Sequence, residues 1–103
     1  MIVEYIRYDI PAQDADAFEA DYAKAGLSLD ASPHCMGYEL SRCLDEASCY
    51  ILRIEWDSVE GHMQGFRRSG DFQQFFSAIK PWVTRILEMR HYEQIASVVR
   101  KAS

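Results

Sequence analysis

The sequence predicts an α+β fold in which helices cover one face of a four-stranded antiparallel sheet, with the element order β-α-β-β-α-α-β. Residues 2–10 and 85–95, near the two ends of the chain, alternate apolar and polar side chains. Residues 35–56 contain two further alternating stretches separated by a polar turn. Between these segments, apolar residues recur at helical spacing. Period-two alternation indicates strands and a 3.6-residue period indicates helices.

The first strand is predicted over residues 2–10 and ends before Pro11. Its alternation separates two faces. One face carries Ile2, Glu4, Ile6 and Tyr8, and the other carries Val3, Tyr5 and Arg7. Proline has no backbone N–H to continue a ladder, so Pro11 is a natural end for the strand.

The first helix is predicted to begin at Asp16, because Glu19 follows three residues later in a capping-box pattern. One apolar stripe at helical spacing runs along it: Ala15, Phe18, Tyr22, Ala25 and Leu29. Gly26 is expected to weaken or end this helix, and Pro33 bounds the loop behind it.

Residues 35–56 predict a β-hairpin that turns at residues 44–48. If the turn is centred on Glu46, residues whose numbers sum to 92 face each other, as Glu39 and Arg53 would. The face predicted to meet the helices then carries Met36, Tyr38, Leu40, Leu52, Ile54 and Trp56, with Met36 opposite Trp56.

Two short helices are predicted after the hairpin. Asp57 with Glu60 predicts a capping box for the first, which Gly70 would close, and Asp71 with Gln74 predicts a cap for the second. The second helix carries an apolar face at i, i+3, i+4 and i+7, formed by Phe72, Phe75, Phe76 and Ile79.

Pro81 ends the second short helix, and residues 85–95 form the last strand. In that strand Leu87, Met89 and His91 are predicted to share one side. The complete order is the ferredoxin-like split βαβ plan with its second helix divided in two. One domain over residues 1–95 is expected, followed by a tail over residues 96–103.

The sheet face turned away from the helices is predicted to mix apolar residues with paired charges. Such a surface is poorly suited to bare solvent, and a second sheet packed face to face would cover it. A homodimer, closing into a dimeric α+β barrel, is therefore expected.

Composition excludes several classes of protein. Eleven Lys and Arg against sixteen Asp and Glu give a net charge of −5, which disfavours nucleic-acid binding. The N-terminal segment alternates and carries charges, so neither a signal peptide nor a membrane span is expected. Three cysteines without a CxxC motif indicate reduced thiols in the cytoplasm, with no disulfide framework and no metal site.

Four stretches of the sequence resemble the antibiotic biosynthesis monooxygenase (ABM) family: "IEWDSVEGH", "GFRRSGDFQQFF", "KPWV" and "EMRHYE". The resemblance extends from Ile2 to about Ile95. It implies a dimeric α+β barrel with a cavity between helices and sheet in each subunit. It also implies oxidation of an aromatic or quinol substrate by O2 without metal, flavin or other cofactor.

His62 is the candidate catalytic base, since imidazole titrates near neutral pH. The alternative is a helix histidine hydrogen-bonded to a neighbour. Candidate walls of the substrate pocket are Tyr38, Trp56, Met63, Phe66, Phe76 and His91. Helical spacing further predicts that, of the phenylalanines at positions 66, 72, 75 and 76, about three pack the core and one touches a cavity.

The sequence therefore favours a cytoplasmic, homodimeric, cofactor-independent monooxygenase that oxidises a small aromatic, polyphenol or quinol with O2. A non-catalytic small-ligand-binding or stress-associated dimer of the same fold is the alternative. Haem degradation is disfavoured, because the histidine of that branch falls on Phe76, its tryptophan falls on Phe66, and the first strand has no asparagine. Haem binding through His62 or His91 is a third hypothesis.

Overall fold

The computed structural model describes residues 1–96 and 101. The elements in chain order are β1 (Ile2–Asp9), a 3-10 turn (Ala12–Asp14), α1 (Ala15–Ala31), β2 (Cys35–Arg42), β3 (Cys49–Trp56), a π-helical turn (Gly61–Phe66), α2 (Gly70–Ile79), a 3-10 helix (Lys80–Arg85) and β4 (Ile86–Glu93). The predicted element order is confirmed. Within the described residues, no helix has the length and apolar character to cross a membrane. Residues 97–100 and 102–103 of the predicted tail lie outside the described residues.

The four strands form one antiparallel sheet in the order β2-β3-β1-β4, and the helices cover one face of it. This is the predicted ferredoxin-like arrangement. The hairpin register is also as predicted, with Tyr38 opposite Ile54 and Glu39 opposite Arg53. Because a one-residue slip would turn every apolar side chain to the wrong face, alternation alone is enough to specify this pairing.

The core lies between the central strands and the helices. Four side chains of β3 are at most 2% exposed, namely Tyr50, Leu52, Ile54 and Trp56. They belong to one buried cluster with Phe66 and Phe75, so the helices do roof this side of the sheet. Each such burial contributes about 1.5–3 kcal/mol relative to exposure.

Two β-bulges change the predicted faces. Cys35, not Met36, pairs with Trp56, and the extra residue leaves Met36 55% exposed. On β4, the register shifts so that Ile86 packs against the core while Leu87 is 55% exposed. A bulge inserts one unpaired residue and reverses the alternation beyond it, which a strict period of two does not anticipate.

The three predicted capping boxes are wrong. α1 begins at Ala15, one residue before Asp16, and has no side-chain cap. At the other two starts a serine takes the role given to aspartate: Ser58 Oγ accepts from the Gly61 N–H at 2.8 Å. Ser69 Oγ accepts from the Phe72 N–H at 3.2 Å, so α2 begins at Gly70 instead of a helix ending there. Serine and aspartate cap equally well, so propensity could not choose between neighbours.

Gly26 does not end α1, which continues to Ala31. The Tyr38 hydroxyl donates to the Gly26 carbonyl oxygen at 3.1 Å and to Asp30 Oδ1 at 2.8 Å. A Cβ atom at position 26 would lie only 2.8 Å from that hydroxyl oxygen. Glycine is therefore present because β2 approaches the helix closely.

The segment that connects β3 to α2 is wound as a π-helix. Its signature is the Arg67 N–H, which donates to the His62 carbonyl oxygen five residues earlier at 2.9 Å. Such turns are rare and occur frequently at functional sites. Outside this turn, His34 Nδ1 lies 2.9 Å from Asp57 Oδ2, and the pair packs where Gly61 and Gly65 have no side chains.

Candidate functional site

A cavity of about 190 Å³ lies between α2, the π-helical turn and the sheet. Most of its wall is apolar, and its ionisable side chains are those of Glu4, Tyr8, His62 and Arg67. Phe66, Phe72, Phe75 and Phe76 all line it, together with Ile6, Tyr8, Ile54, Trp56, Ile79, Val83, Ile86 and Met89. The expectation that only one of the four phenylalanines would touch a cavity is therefore wrong.

The phenylalanine rings enclose space because they meet edge to face. The Phe66 ring centroid lies 5.6 Å from that of Phe72 and 5.6 Å from that of Phe75, at interplanar angles of 84° and 75°. This geometry is favourable for aromatic pairs. The same rings thus serve both as core and as cavity wall.

Three ionisable side chains from three different elements meet beside this cavity, and two of them, Glu4 and His62, line it. Glu4 lies on β1, His62 in the π-helical turn and His91 on β4, where it is the partner of Glu4 in the sheet. His62 Nδ1 lies 2.7 Å from His91 Nε2. His62 Nε2 is 3.6 Å from Glu4 Oε1, and His91 Nε2 is 4.0 Å from Glu4 Oε2. We call this cluster the Glu4–His62–His91 triad.

Trp56 holds two members of the triad in place. Its indole N–H donates to Glu4 Oε1 at 3.0 Å, and its ring stacks on the His62 imidazole with centroids 4.3 Å apart and planes 12° apart. The carboxylate and the imidazole are thereby oriented by one side chain. The hydrogen-bond partner that a buried indole requires is here supplied by the protein.

Burial dominates the electrostatics of the triad. It raises the pKa of Glu4 above 4.5, against the opposing effects of the Trp56 hydrogen bond and of His91 and Arg67. Burial, with smaller contributions from positive charge on His91 and Arg67, lowers the pKa of His62 from 6.5 to about 4. His62 is only 3% exposed and is therefore a neutral imidazole at pH 7.

Arg67 brings a positive charge to the mouth of the cavity. Its guanidinium carbon lies 4.9 Å from the centroid of the Phe72 ring, within the range of a cation–π contact. Arg67 is exposed to solvent and also lines the cavity, so it lies on the rim.

The structure brings together part of the predicted pocket. Trp56, Phe66 and Phe76 line the cavity with His62, and His91 reaches it through its hydrogen bond to His62. Two predicted residues lie elsewhere. Met63 is 40% exposed and does not line this cavity. Tyr38 lines a separate cavity of about 360 Å³ between α1 and β2, because its hydroxyl is bonded to α1.

Glu4 is a member of the site that the sequence analysis did not identify. A signal for it exists, because Glu4 shares its strand face with Ile2, Ile6 and Tyr8. A lone carboxylate on the apolar face of a strand needs a buried partner. The sequence alone does not say which partner, since His91 is adjacent to it only in the folded sheet.

The sequence profile of the antibiotic biosynthesis monooxygenase family matches residues 1–78. The chain belongs to this family. This ABM family member is 26% identical over 78 residues to YczJ, an uncharacterized protein of Bacillus subtilis (strain 168). The aligned region covers 76% of this chain and 82% of YczJ.

Solved structures of similar proteins share the fold of this ABM family member. A Bordetella bronchiseptica protein assigned to the same family superposes with a TM-score of 0.80 at 25% identity, covering 92% of this chain and 97% of its own. SnoaB from Streptomyces nogalater, a cofactor-independent oxygenase, superposes with a TM-score of 0.77 at 14% identity, covering 96% and 97%. The likeness to SnoaB is one of fold.

Proposed function

We propose that this ABM family member is a cofactor-independent monooxygenase that oxidises a small phenol, polyphenol or quinol with O2 inside the aromatic cavity. The observation that carries the proposal is the combination, in one apolar cavity, of a buried neutral imidazole and a cation at the rim. An electron-rich aromatic anion needs a group to take its proton, a charge to stabilise it and an environment that excludes water.

The cavity volume limits the substrate to one ring or two fused rings. A protein cavity of about 150 Å³ is known to hold benzene, and the cavity here measures about 190 Å³. Phe66, Phe72 and Phe76 offer flat surfaces against which such a ring can stack. A larger polycyclic compound would require the two short helices to separate.

In the proposed first step, His62 takes the proton of the substrate hydroxyl. A cation held on His62 would be unfavourable, because burial lowers the pKa of this group to about 4. The 2.7 Å contact with His91 provides a route for the charge, since His91 is 30% exposed. Proton acceptance at His62 coupled to donation toward His91 would move the charge to solvent, while Arg67 stabilises the phenolate.

The subsequent chemistry balances without an external reductant. The substrate anion passes one electron to O2, and the resulting radical pair joins to form a C–O bond to a peroxide. The bond forms at a ring carbon ortho or para to the anionic oxygen, which carries one hydrogen. The peroxide takes back the proton that His62 removed, and loss of the ring hydrogen together with hydroxide, as water, leaves a carbonyl there and gives a quinone. One oxygen atom then enters the product and the other leaves as water, so the substrate supplies all four electrons.

The proposal includes a cytoplasmic homodimer formed through the sheet face opposite the helices. Tyr5, Ile51 and Tyr92 on that face are 37%, 36% and 45% exposed. Tyr5 and Tyr92 pack edge to face at 5.4 Å, and Arg53 pairs with Glu55 at 2.6 Å. A second copy would bury these residues, and sedimentation at micromolar concentration should give the mass of a dimer.

Oxygen uptake against a panel of hydroquinones, naphthoquinols, anthrones and flavonoid-like phenols tests the catalytic proposal. Uptake should be faster than the uncatalysed rate for one- and two-ring compounds. His62→Phe, which retains a ring stacked on Trp56, should lower kcat by at least about 100-fold, the usual scale of general-base catalysis. His34→Ala, which removes the one histidine outside the triad, is the matched control and should not change kcat.

A non-catalytic small-ligand-binding protein is the second candidate, favoured by the weak basicity of His62. It predicts that a phenol quenches Trp56 fluorescence without any oxygen uptake. Haem binding through His62 or His91 is opposed by the cavity volume, which is below the range of about 300–1,000 Å³ for drug-sized ligands. A flat Soret titration with haemin would eliminate it.

A further inference from the structure

We propose that the Glu4–His62–His91 triad binds a divalent transition-metal ion, with Zn²⁺ as the simplest probe. The triad consists of one carboxylate and two imidazoles. Each offers one ligand atom, and these three atoms lie within 4.8 Å of one another. The inference goes beyond the proposed function, which uses the same side chains without a metal.

The spacing of the donor atoms is close to that of a real site. Zinc binds imidazole nitrogen at about 2.0–2.1 Å and carboxylate oxygen at about 2.0–2.2 Å, so tetrahedral donors lie roughly 3.3 Å apart. His62 Nε2 is 3.6 Å from Glu4 Oε1, and His91 Nε2 is 4.0 Å from Glu4 Oε2. The first distance would have to shorten by about 0.3 Å and the second by about 0.7 Å for the ion to be held.

Metal binding would replace the hydrogen bond between the two rings. His91 Nε2 lies 2.7 Å from His62 Nδ1 and would have to leave this partner to ligate the ion, while His62 would ligate through its other nitrogen, Nε2.

The donor set selects a class of metal. Two imidazoles with one carboxylate suit Zn²⁺, Fe²⁺, Co²⁺ and Ni²⁺, whereas Mg²⁺ and Ca²⁺ favour oxygen ligands. Glu4 and His62 both line the cavity. A bound ion would therefore have three protein ligands and a further coordination position facing the cavity.

The surrounding residues orient the ligands. Trp56 donates to Glu4 Oε1 and stacks on His62, the kind of outer support that tunes metal affinity about 10–100-fold. Arg67 acts in the opposite direction, because its positive charge on the cavity rim repels a cation. Removing the charge of Arg67 should therefore strengthen metal binding while all three ligands stay in place.

The experiment is calorimetric titration of the full-length protein with Zn²⁺ in a phosphine reductant. One ion per chain should bind with a Kd in the micromolar range or tighter, and Mg²⁺ should give no heat. Glu4→Gln, His62→Ala and His91→Ala should each weaken Zn²⁺ binding at least tenfold, while Arg67→Gln should tighten it severalfold. The chain has three cysteines that could compete, so Co²⁺ absorption should lack a thiolate charge-transfer band.

His34→Ala is the control, because His34 pairs with Asp57 away from the triad. Loss of binding in this variant, retention of wild-type affinity in His62→Ala and His91→Ala, or the absence of binding to the wild type would each overturn the inference. If the ligand variants do not fold, Arg67→Gln decides alone: an unchanged affinity would reject the site. Oxygen uptake by chelator-treated protein tests the proposed function separately.

Discussion

The buried neutral state of His62 predicts a specific pH dependence of folding stability. In the unfolded chain this histidine should titrate near its ordinary pKa of 6.5, whereas burial lowers its pKa in the folded protein to about 4. Between these values the unfolded state binds more protons, so stability falls as pH falls. The stabilisation is fully present above pH 6.5 and is lost as pH approaches 4.

The magnitude follows from the two pKa values. A difference of one pKa unit corresponds to about 1.4 kcal/mol, so the displacement from 6.5 to about 4 corresponds to about 3 kcal/mol. The free energy of unfolding should therefore fall by up to about 1.4 kcal/mol per pH unit within this window. Glu4 works in the opposite sense, because its raised pKa favours the folded state at low pH and that stabilisation is lost as pH rises.

The assay is urea unfolding of chelator-treated protein at half-unit steps from pH 7 to pH 4. Wild type is compared with His62→Phe, which keeps the aromatic stack on Trp56 and leaves Glu4 in place, so that the difference isolates His62. Between pH 7 and pH 4, the free energy of unfolding of the wild type should fall by about 3 kcal/mol more than that of His62→Phe. His34→Ala should lose as much free energy of unfolding between pH 6.5 and pH 4 as the wild type does. Parallel curves for wild type and His62→Phe would refute the reasoning.

Three further predictions test other features. Trp56→Phe removes the donor to Glu4 and should lower the free energy of unfolding at pH 7 by about 2 kcal/mol in urea titrations; an unchanged midpoint would show that this bond contributes nothing. Gly26→Ala should not stabilise the wild type, because the new methyl would lie 2.8 Å from the Tyr38 hydroxyl and 3.2 Å from its ring. In a Tyr38→Ala background, which removes both contacts, the same substitution should add up to about 1 kcal/mol in thermal melts. If the proposed dimer forms through the sheet face opposite the helices, Ile51→Glu should convert it to a monomer in sedimentation without loss of far-UV helicity, and a persistent dimer would place the interface elsewhere.

The sheet was accessible from sequence because its information is local and redundant. Each residue of the hairpin carries the same period-two signal, so the pairing of Glu39 with Arg53 could be read from numbers alone. Where one residue breaks the period, as at Met36 and Leu87, the prediction failed. A bulge depends on tertiary packing and has no consistent composition.

The candidate site was accessible only in part. His62 was identified through residue type and motif, and its neighbours on the aromatic helix face through spacing. The triad depends on the spatial order of strands, which places Glu4 beside His91, and on a π-helical turn that rotates His62 toward both. The apolar spacing of a regular α-helix gives no sign of a π-helical turn, which carries one additional residue.

The additional residue of the π-helical turn limits which deletions the segment Gly61–Phe66 can tolerate. Removing one amino acid would restore ordinary winding and swing the preceding side chains by about 100° relative to those that follow. His62 and the phenylalanines of α2 would then point in different directions, although all of these side chains would still be present. Geometry therefore constrains the length of this stretch, whereas the hairpin loop near Leu44, which is 98% exposed, can accept insertions.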